Sequence, residues 1–224
     1  MGMKPLSALI PAFPVVPLAA FLSLAASCST LRPVAETVPP AAAPAPSPEK
    51  PLPDLPPVLV MGKGAVGAQD LAAFLRLSNP AAEATLVGEL AELYVQEAAA
   101  EGVSHDVAFA QMCLETGYLK FGGLVTGDMH NYCGLGSMGK GAPGERFESP
   151  RIGVRAHVQH LKGYATDEGL NGELVDPRYR WIKYGSAKAI ADLSGRWAAD
   201  REYGAKIAGI LDRLYGFARS RRRT

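Results

Sequence analysis

The sequence has almost no excess of either charge. Its 224 residues include 23 lysines and arginines against 22 aspartates and glutamates, which gives a net charge of +1. Binding to nucleic acid through bulk electrostatics requires a clear positive excess, so we predict no nucleic-acid partner. The chain also lacks an internal repeat, and its C-terminal stretch RSRRRT is typical of a solvated helix end.

The first 28 residues lack the pattern of a folded domain. Lys4 precedes an apolar stretch that runs to Ala26, which is typical of an export signal. Three prolines interrupt this stretch and argue against a membrane-spanning helix. The stretch ends in LAASC, which resembles the lipobox of bacterial lipoproteins, so we predict lipidation of Cys28 and a lipid-anchored position in the cell envelope, facing the periplasm or the exterior. An ordinary export signal with an incidental cysteine is the alternative.

The next segment, 29–60, cannot bury a core of its own. Ten of the 26 residues in 33–58 are prolines, with alanines between them. Such a composition favours extended, semi-rigid conformations. The sequence therefore predicts a linker over 29–60 that joins the anchored terminus to a folded domain over 61–224.

Cysteine is scarce, with three residues in the chain. Beyond Cys28, an exported domain permits a disulfide between Cys113 and Cys133, and two buried free thiols are the equal alternative. His157 and His160 lie three residues apart, a spacing that two ligands of one metal ion can have. Because no zinc motif accompanies them, we predict two helix histidines, no metal and no organic cofactor.

From Met61 onward, apolar residues recur mostly at helical spacing. The pattern predicts a mainly α domain of the α+β class, in which Asn79-Pro80, Ser104 and Ser149-Pro150 begin helices. The glycine-rich segment 131–148 predicts a small β-hairpin lobe. The predicted helices cover residues 68–79, 80–102, 105–116, 149–165, 187–193 and 200 onward.

Glu115 stands at the predicted end of the third helix, in the stretch LETGY. At 100° per residue it lies on the side of Gln111 and Met112, next to the apolar stripe, so we expect it to be partly buried. Burial disfavours the charged form and raises a carboxyl pKa. A carboxylic acid that keeps its proton near neutral pH meets the requirement for the acid of a glycosidase. A salt-bridged or capping glutamate at a helix end is the alternative.

Several sequence blocks then appear in a characteristic order, among them AFAQMCLETGYLKFGG, NYCGLG and GRWAADREYGAKIAGIL. Over about residues 90–214 this order resembles the bacterial glucosaminidase family of cell-wall hydrolases, glycoside hydrolase family 73. The resemblance implies a lysozyme-like helical domain with a small β lobe. It also implies hydrolysis of β-1,4 bonds in peptidoglycan glycan strands, typically after N-acetylglucosamine, whereas a few relatives cut on the muramic acid side instead. The matching residues are Gln111, Glu115, Thr116, Gly117, Tyr118, Asn131, Tyr132, Cys133, Gly134, Trp197, Asp200, Tyr203 and Gly204, and the family's catalytic acid falls on Glu115.

The second catalytic group is less determined. Inverting hydrolysis needs a second carboxylate about 6.5–9.5 Å from the acid. Many relatives carry a glutamate in the β lobe, where this chain offers Glu145 and Glu148, and we predict Glu145. A surface charge on the hairpin, or a substrate-assisted route through the N-acetyl group, is the alternative.

Sugar rings pack on aromatic side chains, while their polar groups need hydrogen-bond partners. The stretch DPRYRWIKYG interleaves aromatic and basic residues. We predict a peptidoglycan-binding set of Gln111, Tyr118, Asn131, Tyr179, Trp197 and Tyr203. The rival hypothesis is a lysozyme-like module without catalysis that binds the wall or serves as a scaffolding lipoprotein. A carboxyl group of Glu145 or Glu148 that faces Glu115 across an open cleft would favour the enzyme, and a cleft filled by side chains would favour the scaffold.

Overall fold

The computed structural model describes residues 58–139 and 141–223. The predicted export segment 1–28, with Cys28, and nearly all of the predicted linker lie outside the described residues. Within the described part, no helix has both the length and the apolar character needed to cross a membrane.

The described chain is mainly helical, as predicted. Two short antiparallel strands, β1 (Ser137–Gly139) and β2 (Ala142–Pro143), form the predicted β lobe. Three short 3₁₀ turns cover Gly127–Met129, Tyr179–Trp181 and Ile190–Leu193. The α-helices are α1 (Ala68–Ser78), α2 (Ala84–Glu101), α3 (His105–Glu115), α4 (Pro150–Ala165) and α5 (Tyr203–Arg221).

Helix starts agree with the sequence only in part. Ser149 caps α4 by accepting a hydrogen bond from the backbone N–H of Ile152 at 3.4 Å. The prediction that Asn79-Pro80 begins α2 is wrong, because Glu83 caps that helix. Its carboxylate accepts hydrogen bonds from the backbone N–H groups of Thr85 and Leu86 at 2.8 and 2.6 Å. The Asn79 amide instead donates to the carbonyl oxygen of Tyr118 at 2.8 Å, tying the end of α1 to the chain beyond α3.

Helix α3 forms the centre of the molecule. Every residue from His105 to Cys113 is buried, so the helix is enclosed on all sides rather than on one stripe. Helices α2 and α5 pack against it, with α4 in further contact. Because α3 is anchored in the core along its length, its C-terminal residue is held rigidly where it reaches the surface.

Helix α5 begins at Tyr203, three residues later than predicted, and the predicted helix over 187–193 is the single 3₁₀ turn Ile190–Leu193. Gly204 explains how these two elements meet. A Cβ atom at this position would lie 2.6 Å from the carbonyl oxygen of Ile190, so only glycine permits the approach. This packing places the start of α5 beside the end of α3.

Candidate active site

Glu115 is the last residue of α3, and the chain leaves this helix through a strained turn. Gly117, Tyr118 and Leu119 have φ angles of 57°, 60° and 61°. Such angles are uncommon for residues with a side chain and cluster at functional sites. The Thr116 hydroxyl stabilises the turn by donating back to α3 at 2.8 Å and accepting from the Leu119 N–H at 2.9 Å. The turn therefore ends α3 abruptly and leaves the Glu115 side chain at the surface.

The Glu115 carboxyl group receives two hydrogen bonds on one oxygen. The Tyr203 hydroxyl and the Trp197 indole N–H both donate to Oε1, the latter at 3.0 Å. The other oxygen, Oε2, lies beside Gly134, where an added Cβ would be 3.8 Å away. No donor in the described chain reaches Oε2. A proton on this carboxyl group therefore resides on Oε2, because Oε1 already accepts two hydrogen bonds.

The environment raises the pKa of Glu115, as expected. Dehydration by the surrounding protein is the main cause, and the hydrogen bonds from Tyr203 and Trp197 act in the opposite direction. The side chain is nevertheless more exposed than the helical pattern predicted, since one side of it faces open space. The group thus combines a raised pKa with one side that is open to solvent.

Two adjoining cavities lie on either side of the loop 133–137. One, of about 260 Å³, is lined by Glu115, by the segment 121–125 and by Asn131. The other, of about 500 Å³, is bounded by the loop itself, by Trp197 and, on the opposite wall, by residues 178, 181 and 182. Gly134 and Ser137 line both. We call them the acid cavity and the side cavity; Glu115 lines the acid cavity, which forms the cleft at its carboxyl group.

A family model described as mannosyl-glycoprotein endo-beta-N-acetylglucosaminidase, or glucosaminidase, matches residues 91–216. This range includes Glu115, both of its hydrogen-bond donors and the loop between the two cavities. The chain belongs to the glucosaminidase family. Its domain is therefore that of a peptidoglycan-hydrolase family, on a mainly helical, lysozyme-like scaffold.

The chain is also similar to a protein from Borreliella burgdorferi. The two chains are 39% identical over 152 residues, which cover 68% of this chain and 74% of the relative. The relative carries the description "Uncharacterized protein", so it adds no activity or substrate. No solved structure matches the chain.

Two residues of the predicted sugar-binding set are buried beside the candidate site and form hydrogen bonds to its residues. Gln111 is fully buried, and its amide donates to the Tyr203 hydroxyl at 2.9 Å. Asn131 is also fully buried: its amide donates to the carbonyl oxygens of Leu135 and Glu145, each at 2.9 Å, and its Oδ1 accepts from the Leu135 N–H. Gln111 therefore orients Tyr203, and Asn131 shapes the loop between the cavities. Both side chains are fully buried and bonded to protein groups, and sugar binding by Gln111 and Asn131 stays a prediction.

Tyr118 and Tyr179, two other predicted sugar-binding residues, lie outside the walls of both cavities. The Tyr118 hydroxyl accepts a hydrogen bond from Arg213, and its ring packs on Phe74. The Tyr179 ring packs on Tyr184, with ring centroids 5.2 Å apart. Both rings serve local packing here. Trp197 and Tyr203, by contrast, donate hydrogen bonds to Glu115, and sugar binding by these two residues stays a prediction.

Glu145 forms an ion pair with Arg178, whose Nε donates to its Oε1 at 2.8 Å. Glu145 itself lines neither cavity, and Glu115 is the one carboxylic acid among the described residues that line them. Glu148 is exposed on the lobe. The role of Glu145 as the catalytic base stays a prediction. In the structure, Glu145 forms the ion pair with Arg178.

Sequence reasoning missed the segment 121–125, which forms a wall of the acid cavity. Its signal was the run GYLKFGG, whose residues Tyr118, Leu119 and Phe121 adopt positive φ angles despite their side chains. Sequence reasoning also missed His157 and Tyr94, which extend the hydrogen-bonded support of Gln111. These residues are recognisable only once α2, α3 and α4 are packed together.

The two cysteines of the described chain and the two histidines of α4 are in contact with other protein groups rather than with a metal-ligand set. Cys113 and Cys133 are both buried and free, which agrees with the alternative of two thiols rather than with a disulfide. His160 pairs with Asp176 at 2.7 Å, whereas His157 is fully buried. The described residues contain no group of three or more metal-ligating side chains placed to hold a metal ion.

Proposed function

We propose that the protein is an exported peptidoglycan hydrolase that cleaves β-1,4 bonds of wall glycan strands, acting as an endo-β-N-acetylglucosaminidase with Glu115 as the general acid. One observation carries this proposal. The Glu115 carboxyl group has a raised pKa, is fixed at Oε1 by two donors, and presents Oε2 to an open cleft. A non-catalytic scaffold does not require a dehydrated acid at such an opening.

The geometry suggests a simple sequence of steps. Glu115 transfers the proton on Oε2 to the glycosidic oxygen, the bond from that oxygen to the sugar C1 breaks, and positive charge develops on the sugar ring. Tyr203 and Trp197 stabilise the carboxylate that forms at the same moment. A water molecule then adds to C1 and loses a proton, to a second carboxylate in an inverting route or to the Glu115 carboxylate in a substrate-assisted one. N-acetylglucosamine is left at the new reducing end.

The partner of Glu115 has two candidates. Glu145 is the predicted base, and the N-acetyl oxygen of the substrate is the alternative, which needs no second carboxylate. The configuration of the new anomeric centre, followed by proton NMR during hydrolysis, separates them. Initial release of the inverted anomer that is lost in Glu145→Gln supports Glu145, whereas a retained configuration with full activity in that variant assigns the role to the substrate.

The central test uses the full chain, Glu115→Gln and the control Glu92→Gln, which alters an exposed glutamate of α2 outside both cavities. Each protein is incubated with purified peptidoglycan, the products are reduced with borohydride, and the reduced sugar is identified by mass spectrometry. We expect reduced N-acetylglucosamine from the parent and from Glu92→Gln, and none from Glu115→Gln. Reduced muramic acid would support a hydrolase that cleaves the other glycosidic bond of the glycan strand. If the proteins bind the wall but none releases reduced sugar, the hydrolase is refuted and the non-catalytic wall-binding module is supported.

The proposed envelope location rests on the N-terminal sequence. Lipidation at Cys28 predicts incorporation of a labelled fatty acid into the parent and none into Cys28→Ser. Membrane fractions should then contain the parent, with the variant released from them. An unlabelled parent would support the ordinary export signal instead.

A further inference from the structure

A continuous chain of buried hydrogen bonds leads from Glu115 into the core. Gln111 Nε2 contacts the Tyr203 hydroxyl at 2.9 Å, and Gln111 Oε1 contacts His157 Nε2 at 3.1 Å. The other ring nitrogen of His157, Nδ1, contacts the Tyr94 hydroxyl at 2.8 Å. The chain therefore joins four elements, α2, α3, α4 and α5, behind the acid.

The chemistry of the groups fixes the direction of every bond. The Tyr203 hydroxyl has one hydrogen and donates it to Glu115, so its oxygen accepts from the Gln111 amide. The amide oxygen of Gln111 then faces His157 Nε2, which must carry the ring proton. Nδ1 is left without a proton and accepts from Tyr94. Each donor in the chain thus points towards the carboxyl group.

Burial locks this arrangement. Tyr94, Gln111 and His157 are all fully buried, so water cannot replace any of the bonds. Burial, assisted by neighbouring His160, lowers the pKa of His157 to about 3, which keeps its ring neutral in a single tautomer. Burial likewise keeps Tyr94 protonated by raising its pKa.

Of the two side chains that donate hydrogen bonds to Glu115, only Tyr203 has an ionisable group. Trp197 does not titrate, and burial raises the pKa of the nearby Cys133 thiol, with the Glu115 charge adding to the effect. The pKa of Tyr203 is raised by burial first and by Glu115 next, so its hydroxyl keeps its proton. Tyr203 therefore stays a donor to Glu115, and its hydrogen bond lowers the pKa of that carboxyl group against the larger, opposite effect of burial.

We infer that Gln111, His157 and Tyr94 are positioning residues that hold the Tyr203 hydroxyl as a donor to Glu115 Oε1 and so keep the acid's proton on the cleft-facing Oε2. This inference rests on the proposed role of Glu115 as general acid. A Tyr203 hydroxyl without an oriented amide behind it can rotate away from Oε1. The carboxyl group would then lose both its fixed orientation and a bond that favours its charged form.

The test compares two fully buried glutamines. Gln111→Met breaks the chain of hydrogen bonds behind Glu115 while keeping the side-chain length. Gln159→Met removes the hydrogen bonds of Gln159 to residues 173, 175 and 176, which are not part of that hydrogen-bond chain. Thermal melts establish that both variants are folded at the assay temperature. For Gln111→Met we expect kcat to fall about tenfold, the equivalent of one hydrogen bond in the transition state, with KM within about twofold. We also expect the alkaline limb of its kcat/KM profile to move to higher pH, because a bond that stabilises the carboxylate is weakened.

A second comparison separates positioning from general structural damage. In a Tyr203→Phe background, Gln111→Met should have almost no further effect on kcat, because the group through which it acts is gone. Additive losses would overturn the inference, as would a parent-like pH profile for Gln111→Met or an equal shift in Gln159→Met.

The Glu115 titration can also be followed without activity, by carboxyl ¹³C NMR. An upward shift in Gln111→Met with no hydrolysis by the parent would refute the proposed function and leave the positioning role standing. An unchanged titration in a hydrolytically active parent would refute the positioning role alone.

Discussion

Replacement of Lys162 by methionine should destabilise the protein strongly, because Lys162 is half of a buried ion pair. Its Nζ lies 2.9 Å from Glu101 Oε2, and the two side chains are 2% and 3% exposed. Glu101 also accepts hydrogen bonds from the backbone N–H groups of Asn171 and Gly172 at 2.9 and 3.1 Å. The pair therefore fastens the end of α2 to α4 and to the start of the segment that continues to the side-cavity wall.

The magnitude follows from the charge left behind. Breaking a buried pair by removing one partner costs about 3–5 kcal/mol, since the other charge stays buried without compensation. For a domain of this size that corresponds to a decrease of about 6–20 °C in Tm. The matched control is Lys206→Met, which breaks an ion pair with Asp200 whose side chains are 55% and 39% exposed. Exposed pairs contribute about 0–1 kcal/mol, so this variant should melt close to the parent.

The pH dependence gives a sharper check. Burial opposes ionisation of Glu101, but bonds from Asn171, Lys162 and Gly172 outweigh it and lower the pKa of Glu101 below 4.5. Its contribution to stability is therefore present above pH 4.5 and is lost as the pH falls through the folded-state pKa. In Lys162→Met the deficit should be largest at neutral pH and shrink in acid, where Glu101 can take up a proton. Urea unfolding at several pH values measures this, and equal losses in the Lys162 and Lys206 variants would refute the reasoning.

Three further outcomes are expected. Tyr203→Phe should lower kcat about tenfold and move the alkaline limb of kcat/KM upward, since one bond that lowers the Glu115 pKa is removed; a parent-like profile would contradict this. Cys113 and Cys133 should resist a thiol reagent until urea unfolds the chain, because burial raises both thiol pKa values; fast labelling of the native protein would disprove it. Trp181→Ala should weaken glycan binding by roughly 2- to 10-fold in calorimetry, with Tm almost unchanged, because Trp181 lines the side cavity and is 60% exposed. An unaltered affinity would show that Trp181 does not bind the glycan.

Glu115 could be proposed as the acid from the sequence because its signals are local. Glu115 follows an apolar helical run and precedes a threonine and a glycine, and these neighbours specify where a helix ends. The mainly helical class and the ends of α2 and α4 follow from the same kind of short-range pattern. Family membership also lies in the linear sequence, through blocks that follow one another in order.

The roles of the remaining site residues were decided by tertiary packing. Gln111 and Tyr203 are 92 positions apart, and the prediction that both bind sugar gave no indication that the first orients the second. Tyr118 and Tyr179 have the aromatic character of sugar platforms, yet both rings pack on neighbouring aromatic rings and neither lines the two cavities. A sequence specifies which chemical groups are present and which face of a helix carries them. Only the enclosure of α3 by α2, α4 and α5 determines which groups meet, which are dehydrated, and which oxygen of Glu115 faces the cleft.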